Sequence, residues 1–151
     1  MQSFLGGGLH TWKLLAEDTG GAFFLFEDVM AGGKTTPLHR HPEADEMAYV
    51  LEGEIIVRVD GKETRIGAGG MSFVPKGIPH AFLVVSDSAR LLSLHSPATP
   101  SQAFYRGASE PATADDAPDR LDLDRLRASA QANPRGIEIL GPPPFEALQS
   151  A

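Results

Sequence analysis

The 151-residue chain contains no cysteine, which excludes disulfide bonds, thiolate metal sites and cysteine nucleophiles. This absence fits a reducing compartment, and we expect a cytoplasmic protein. Long apolar runs are also missing, because the longest, such as residues 22–26, have five residues and a membrane-spanning helix needs about 18. The first residues show no basic stretch followed by an apolar one, so we expect no secretory signal.

Basic residues are scarce as well. The chain has 13 Lys plus Arg against 20 Asp plus Glu, which gives a formal net charge of −7. Nucleic acids and anionic membranes both require a basic face, so we expect neither as a partner. Hydrophobic residues make up 42% of the chain, which is enough for the core of one domain.

The composition changes near residue 96. Thirteen of the 16 glycines and all five histidines lie in residues 1–95, whereas eight of the 12 prolines lie in residues 97–151. We therefore predict a glycine-punctuated β-domain over residues 1–96. Residues 97–151 are predicted to form a helical and proline-rich C-terminal extension packed on it.

The first part reads as a series of short strands separated by turn signals. The strands are predicted at residues 10–16, 22–30, 45–52, 54–59, 63–66, 71–74, 80–86 and 89–95. Asp60-Gly61 between two of them suits a two-residue hairpin turn, whose central residues need positive φ. Many short strands with close glycines and prolines predict a β-sandwich or small barrel.

The extension contains two predicted helices. Thr99 and Pro100 resemble an N-cap followed by the first helical position, with Gln102 three residues after the cap. A second helix is predicted over residues 121–133, where Asn133 precedes a proline that disfavours helix.

The most informative segment contains two histidines and a glutamate. His39 and His41 are two residues apart, so both side chains lie on one face of an extended strand, with Glu46 shortly after. Imidazole and carboxylate suit a divalent transition metal. A solvated histidine pair is the alternative explanation. His80, which follows a Pro/Gly turn, becomes a further ligand candidate only in combination with the first pair.

These residues resemble the two motifs of the cupin superfamily. The first motif, Gly-X5-His-X-His-X3,4-Glu-X6-Gly, is matched by Gly33, His39, His41, Glu46 and Gly53. The second motif, Gly-X5-Pro-X-Gly-X2-His-X3-Asn, is matched by Gly69, Pro75, Gly77 and His80, with Val84 in place of Asn. Nine of the ten defined positions agree, and the motifs span about 50 residues. The Val84 mismatch touches no metal ligand of the family.

The resemblance implies an all-β fold, a cupin-type double-stranded β-helix or jelly-roll barrel. It also implies one divalent transition metal (Fe, Mn, Ni, Co, Cu or Zn) held by His39, His41, Glu46 and His80, with one or two coordination positions open. Open positions are a feature of catalytic metal sites. Cupins often dimerise by exchanging N-terminal strands, so we expect a homodimer in which residues 1–16 serve the partner subunit.

The strands that frame the expected cavity are mainly apolar, which favours an enolic or aromatic small molecule over a sugar phosphate. Tyr49, Met71, Phe73 and Phe82 are candidate pocket residues, although barrel interiors are packed with such side chains in any case. His10 and His95 have no matching partner in the sequence. Whether they face the cavity is left open.

The C-terminal extension loosely resembles single-domain, quercetin-dioxygenase-like cupins. The leading hypothesis is a metal-dependent dioxygenase in which Glu46 is a ligand and also the catalytic base. An oxygen-independent isomerase, cyclase, decarboxylase or lyase with the same metal shell is the second hypothesis. A non-catalytic binding cupin is the third, and a DNA-binding regulator is its least favoured form, because the charge is −7.

Overall fold

Two antiparallel sheets make up most of the computed structural model, which describes residues 1–146. The seven-stranded sheet has, in spatial order, β11 (Ser109–Pro111), β1 (Gln2–Phe4), β2 (Gly8–Leu14), β3 (Phe24–Ala31), β10 (Ser88–Ser96), β5 (Asp45–Glu52) and β8 (Met71–Val74). The five-stranded sheet has β12 (Glu138–Gly141), β4 (Leu38–Arg40), β9 (His80–Val84), β6 (Glu54–Val59) and β7 (Lys62–Gly67). This architecture confirms the predicted all-β jelly-roll barrel.

The core lies between the two sheets, because alternate residues of each strand point inward. Along β3 every second residue is buried, beginning with Phe24. The largest buried apolar cluster joins both sheets and comprises Met30, Val50, Ile55, Val57, Ile66, Val84, Ala89 and Leu91. Burial of this cluster is the main favourable contribution to the stability of the barrel.

The predicted hairpin is present between β6 and β7. Asp60 and Gly61 have φ values of 49° and 82°, as the two-residue turn requires, and Val59 pairs with Lys62. A turn of this type matches the twist of its flanking strands, so local sequence was sufficient to predict it.

Three short elements were not predicted in the first part of the chain. The strands β1 and β4 have three residues each, and the helix α1 (Ala16–Thr19) has four. Segments of this length show too few periods for a pattern to be recognised. β1 pairs with β2 and β11.

The C-terminal extension combines helices with short strands. It contains the helices α2 (Ser101–Gly107) and α3 (Leu123–Ala132), and Asp122 caps α3 by accepting a hydrogen bond from Arg125 N (3.0 Å). It also adds β11 to one sheet and β12 to the other. Residues 147–151 of the predicted extension lie outside the described residues. Within residues 1–146, none of the helices has the length and hydropathy that crossing a membrane requires.

Candidate metal centre and its cavity

The four residues matched to the cupin motifs converge at one end of the barrel. His39 in β4 lies directly opposite His80, the first residue of β9, and His41 follows immediately after β4. Glu46 reaches the same point from β5 in the other sheet. The cluster therefore depends on the packing of the two sheets as well as on the strand register within one of them.

The spacing of the ligand atoms suits a single metal ion. One ligand atom from each of the four side chains lies within 4.8 Å of the others. Glu46 Oε2 is 2.7 Å from His80 Nε2 and 3.4 Å from His41 Nε2. Ligands that bind one ion at about 2.0–2.2 Å are separated by distances of this order. The cluster can hold a metal ion in a three-histidine, one-glutamate arrangement.

Backbone carbonyl groups orient all three imidazole rings. The Nδ1–H of His39 donates to Pro37 O (2.8 Å), and that of His41 donates to Gly136 O (2.8 Å). The Nδ1–H of His80 donates to Ile78 O (2.9 Å). Each Nε2 is thereby left facing the cluster, which is the usual arrangement of metal-ligating histidines. Gly136, in the extension, is a contribution that the motifs did not predict.

Two observations test whether these residues fit a metal. His41 Nε2 is buried and has no hydrogen-bond partner, although buried polar atoms are normally satisfied. His80 Nε2 and Glu46 Oε2 are in hydrogen-bond contact, yet both present lone pairs when the ring is neutral and the carboxyl is ionised. A cation or a proton must therefore lie between them. The donor set fits a divalent transition metal.

Burial and mutual contact determine the protonation of the cluster. Burial and the neighbouring rings hold the pKa of His39 well below its usual value, so this ring stays neutral. Burial disfavours the charged form of His80, but the Glu46 carboxylate outweighs this effect and raises the pKa of the ring. Burial alone would raise the pKa of Glu46, whereas contact with His80 holds it well below its usual value. Glu46 is therefore ionised at neutral pH.

A glycine of the second motif connects the two motifs. Gly77 has a φ of 79°, which favours glycine, and its N–H donates to His41 O (2.8 Å). This contact ties the turn before His80 to the segment that carries His41. The match of the two motifs along the sequence thus reflects a direct contact between them.

His95, which belongs to neither sequence motif, is a neighbour of the metal cluster. It is fully buried and lies opposite Glu46 in the β10–β5 register, with its Nε2 3.7 Å from Glu46 Oε1. Its Nδ1 lies 2.8 Å from Ser101 Oγ. The inward alternation of β10, which places Ala89, Leu91, Ser93 and His95 on one face, is the signal that could have identified it.

A cavity extends from the metal cluster into the barrel. Its walls are mainly apolar, and they include Phe82, one of the four predicted pocket residues. Its apolar walls also include Phe26, Ala48, Ile55, Val57 and Leu91. His10 also lines this cavity.

The other three predicted pocket residues, Tyr49, Met71 and Phe73, lie outside this cavity. These side chains are 37%, 55% and 55% exposed, and none of them lines the cavity. The physical reason is strand alternation, because Glu46 and Ala48 point inward from β5 and Tyr49 therefore points outward. On β8 the inward residues are Ser72 and Val74, so Met71 and Phe73 lie on the outer face.

Comparison with known proteins identifies the family. The Cupin domain family model matches residues 25–95. Polyketide synthase CurC of Streptomyces cyaneus is 33% identical over 115 residues, which cover 74% of this chain and 73% of the relative. The structure of KdgF from Halomonas sp. superimposes with a TM-score of 0.58 over 64% of this chain and 84% of the other, at 18% identity. At this identity the structural likeness concerns the fold alone.

Other curated relatives match a smaller part of their own length. The HTH-type transcriptional regulator PuuR of Escherichia coli is 34% identical over 76 residues, covering 50% of this chain and 40% of the regulator. Quercetin 2,3-dioxygenase of Bacillus subtilis is 36% identical over 72 residues, covering 46% of this chain and 21% of the dioxygenase. The chain therefore spans less than half of either protein, and the names of the relatives point to different functions.

Proposed function

The chain belongs to the cupin superfamily, and we propose that it is a metal-dependent enzyme acting on an enolic or phenolic small molecule. The observation that carries this proposal is the convergence of His39, His41, His80 and Glu46 beside a mainly apolar cavity. Three of these residues, His39, Glu46 and His80, line that cavity. Three imidazole rings and a carboxylate in such a place are suited to binding a metal next to a bound substrate.

The residues of the cluster have separate roles in this proposal. The three histidines hold the metal through Nε2, and their backbone acceptors keep the rings fixed. When bound, the metal supplies Lewis acidity that stabilises the oxyanion of an enol or phenol. Glu46 is the fourth ligand in this proposal and also the group that accepts the hydroxyl proton of the substrate. The apolar walls exclude water from the reacting group.

The cavity wall supports an uncharged, ring-containing substrate. Phe26, Phe82 and Tyr105 offer aromatic surface, and Lys34 is the only Lys or Arg among the lining residues. A phosphorylated substrate requires several convergent basic groups, preferably arginines that bind its oxygens in pairs. A β-dicarbonyl compound, a phenol or a flavonol is therefore the proposed class of substrate.

Two reactions are compatible with this site. The first is oxygenation, in which both atoms of dioxygen enter the cleaved substrate and no external reductant is needed; the match to quercetin 2,3-dioxygenase supports it. The second is an oxygen-independent proton transfer that leads to isomerisation or cyclisation. The match to the polyketide synthase protein CurC supports the second reaction, and it covers a larger share of this chain.

One experiment separates these reactions. Protein purified without chelators is analysed for metal, and oxygen uptake is then measured with a panel of flavonols, catechols and β-diketones. The same panel is incubated without oxygen, and the products are analysed by mass spectrometry. Oxygen uptake with a stoichiometric product supports the first reaction, and anaerobic conversion supports the second. Metal-loaded protein that converts none of the panel under either condition would contradict the proposal.

We also propose that the protein forms a homodimer through the edge of its seven-stranded sheet. β8 is the last strand of that sheet, and its Met71 and Phe73 lie beside Tyr49 and Met47 of β5 on the outer face. Exposed apolar side chains on an edge strand favour pairing with a second copy of the same edge. Two such edges can meet around a twofold axis.

A further inference from the structure

The cavity has a second polar cluster, made of His10, Asp28 and Lys34, at a distance from the metal ligands. All three residues line the same cavity as His39, Glu46 and His80. His10 of β2 lies directly opposite Asp28 of β3, so the two side chains point inward from neighbouring strands. None of the three belongs to either cupin motif.

Asp28 interrupts an apolar series. The inward positions of β3 are Phe24, Phe26, Asp28 and Met30, and Asp28 is only 7% exposed. Gly8 provides the room for its carboxylate, because a Cβ at that position would lie 2.4 Å from Asp28 Oδ1. A carboxylate buried within an apolar row costs free energy unless it is paired or hydrogen-bonded.

The buried polar atoms of this cluster lack partners. Asp28 Oδ1 and both ring nitrogens of His10 are buried without a hydrogen bond, and His10 is fully buried. His10 Nε2 lies 3.4 Å from Asp28 Oδ1, close enough for attraction but not in hydrogen-bond geometry. Unsatisfied atoms of this kind in a cavity wall indicate a group that binds between them.

Lys34 balances the charge of Asp28. Its Nζ donates to Gly6 O and lies 5.7 Å from the centre of the Phe4 ring. Burial lowers the pKa of Lys34 to about 8, against the opposing effect of the Asp28 carboxylate, so the amine is mostly protonated at neutral pH. A carboxylate, an ammonium and an imidazole together suit an uncharged polar group better than an ion.

A ring-containing molecule can reach from one cluster to the other. In the seven-stranded sheet, His95 of β10 pairs with Glu46 of β5 on one side and with Phe24 of β3 on the other. Asp28 is four residues after Phe24 along β3, and four residues of a strand span about 13 Å. The ring of Tyr105 lies between the clusters, with its centre 6.5 Å from that of His41 and 5.9 Å from that of His10. Aromatic surface thus lies between the metal ligands and the second polar cluster.

We propose that His10 and Asp28 form a second subsite, which binds a hydroxyl group of the substrate at the end of the cavity remote from the metal ligands. A hydroxyl both donates and accepts, so it can donate to Asp28 Oδ1 and accept from a ring N–H of His10. A carbonyl group can satisfy only the ring, and an ammonium only the carboxylate. The substrate is therefore a phenol or enol with a second hydroxyl far from the first. That this molecule is a substrate rests on the proposed function.

The test uses metal-free protein and two probes of similar size, phenol and fluorobenzene. Fluorobenzene binding is followed by ¹⁹F NMR, and phenol is measured by its displacement of fluorobenzene. We expect phenol to bind wild-type protein about tenfold more tightly, since a hydrogen bond to a charged group contributes a factor of this size. Phenol should also shift the ring resonances of His10.

Two variants and one control complete the test. Asp28→Leu should bring the ratio of the affinities for phenol and fluorobenzene close to one. His10→Phe should do the same and should fold, because the His10 ring already stacks on Phe4 and Phe26 at 4.7 and 4.5 Å. Ser93→Ala, which alters the same cavity between the clusters, should keep the wild-type ratio.

The proposal is overturned if wild-type protein binds phenol no more tightly than fluorobenzene or binds neither probe. It is also overturned if the ratio is unchanged in both Asp28→Leu and His10→Phe. These measurements require neither metal nor turnover, so a protein that lacks the proposed enzymatic function can still show the subsite.

Discussion

Replacing His95 by Leu should change how the stability of the protein depends on pH. Burial lowers the pKa of this imidazole from about 6.5 to about 3. The ring is fully buried beside Glu46, and Ser101 Oγ lies 2.8 Å from its Nδ1. Leu fills a similar volume and cannot be protonated, so the variant removes the titrating group while keeping most of the packing.

The sign of the effect follows from the two pKa values. Below about pH 6.5 the unfolded chain binds a proton at His95, whereas the folded protein does not bind it until about pH 3. The unfolded state therefore gains protons first, and the folded state loses stability as the pH falls through this window. Within this window, each pH unit changes the free energy of unfolding by about 1.4 kcal/mol. Between pH 7 and pH 5 this side chain alone should reduce the free energy of unfolding by about 2 kcal/mol.

Urea unfolding of metal-free protein at pH 7 and pH 5 measures this difference. Wild-type protein should lose about 2 kcal/mol more than His95→Leu over that interval. Ser101→Ala is the matched control, since it removes the contact to Nδ1 but keeps the buried imidazole, and it should retain the wild-type pH dependence. Equal pH dependence in wild-type protein and His95→Leu would refute the assignment of His95 as a buried neutral ring.

The remaining predictions concern the metal cluster and the dimer. His41→Ala should abolish metal retention, measured by elemental analysis, while the circular dichroism spectrum stays unchanged; His10→Ala should keep the metal. If His41→Ala retains stoichiometric metal, the ligand assignment is wrong. Phe73→Lys should convert the dimer to a monomer in sedimentation experiments, whereas Leu123→Lys, at a side chain 49% exposed on α3, should not. A wild-type monomer would contradict the proposed interface.

Strand alternation explains both the accurate and the inaccurate site predictions. His39, His41 and Glu46 are close in sequence, and the resemblance to the two cupin motifs implied that they meet His80, as they do in the structure. The candidates Tyr49, Met71 and Phe73 were chosen by residue type without regard to which face of the strand they occupy. A shift of one residue along a strand moves a side chain to the other face of the sheet, so residue type alone was a poor guide.

The strands and helices were predicted most accurately where the sequence contains a local signal. Residues 45–52, 54–59 and 71–74 coincide with β5, β6 and β8, and the second predicted helix differs from α3 by two residues at its start and one at its end. The short strands β4, β11 and β12 show no such signal. They are held by pairing with β9, β1 and β4, which are distant in sequence, so only the folded chain specifies them.

By itself the sequence determined the β-rich fold and its turns, because repeating apolar residues and glycine-rich turns act over a few positions. The four candidate ligands followed from the resemblance of two sequence motifs to those of the cupins. The tertiary structure alone decided that Gly136 orients His41, that His95 faces Glu46, and that His10 meets Asp28. These pairs are 95, 49 and 18 residues apart. No local pattern encodes such contacts. They arise from strand register and sheet packing, and both are settled only when the whole core is assembled.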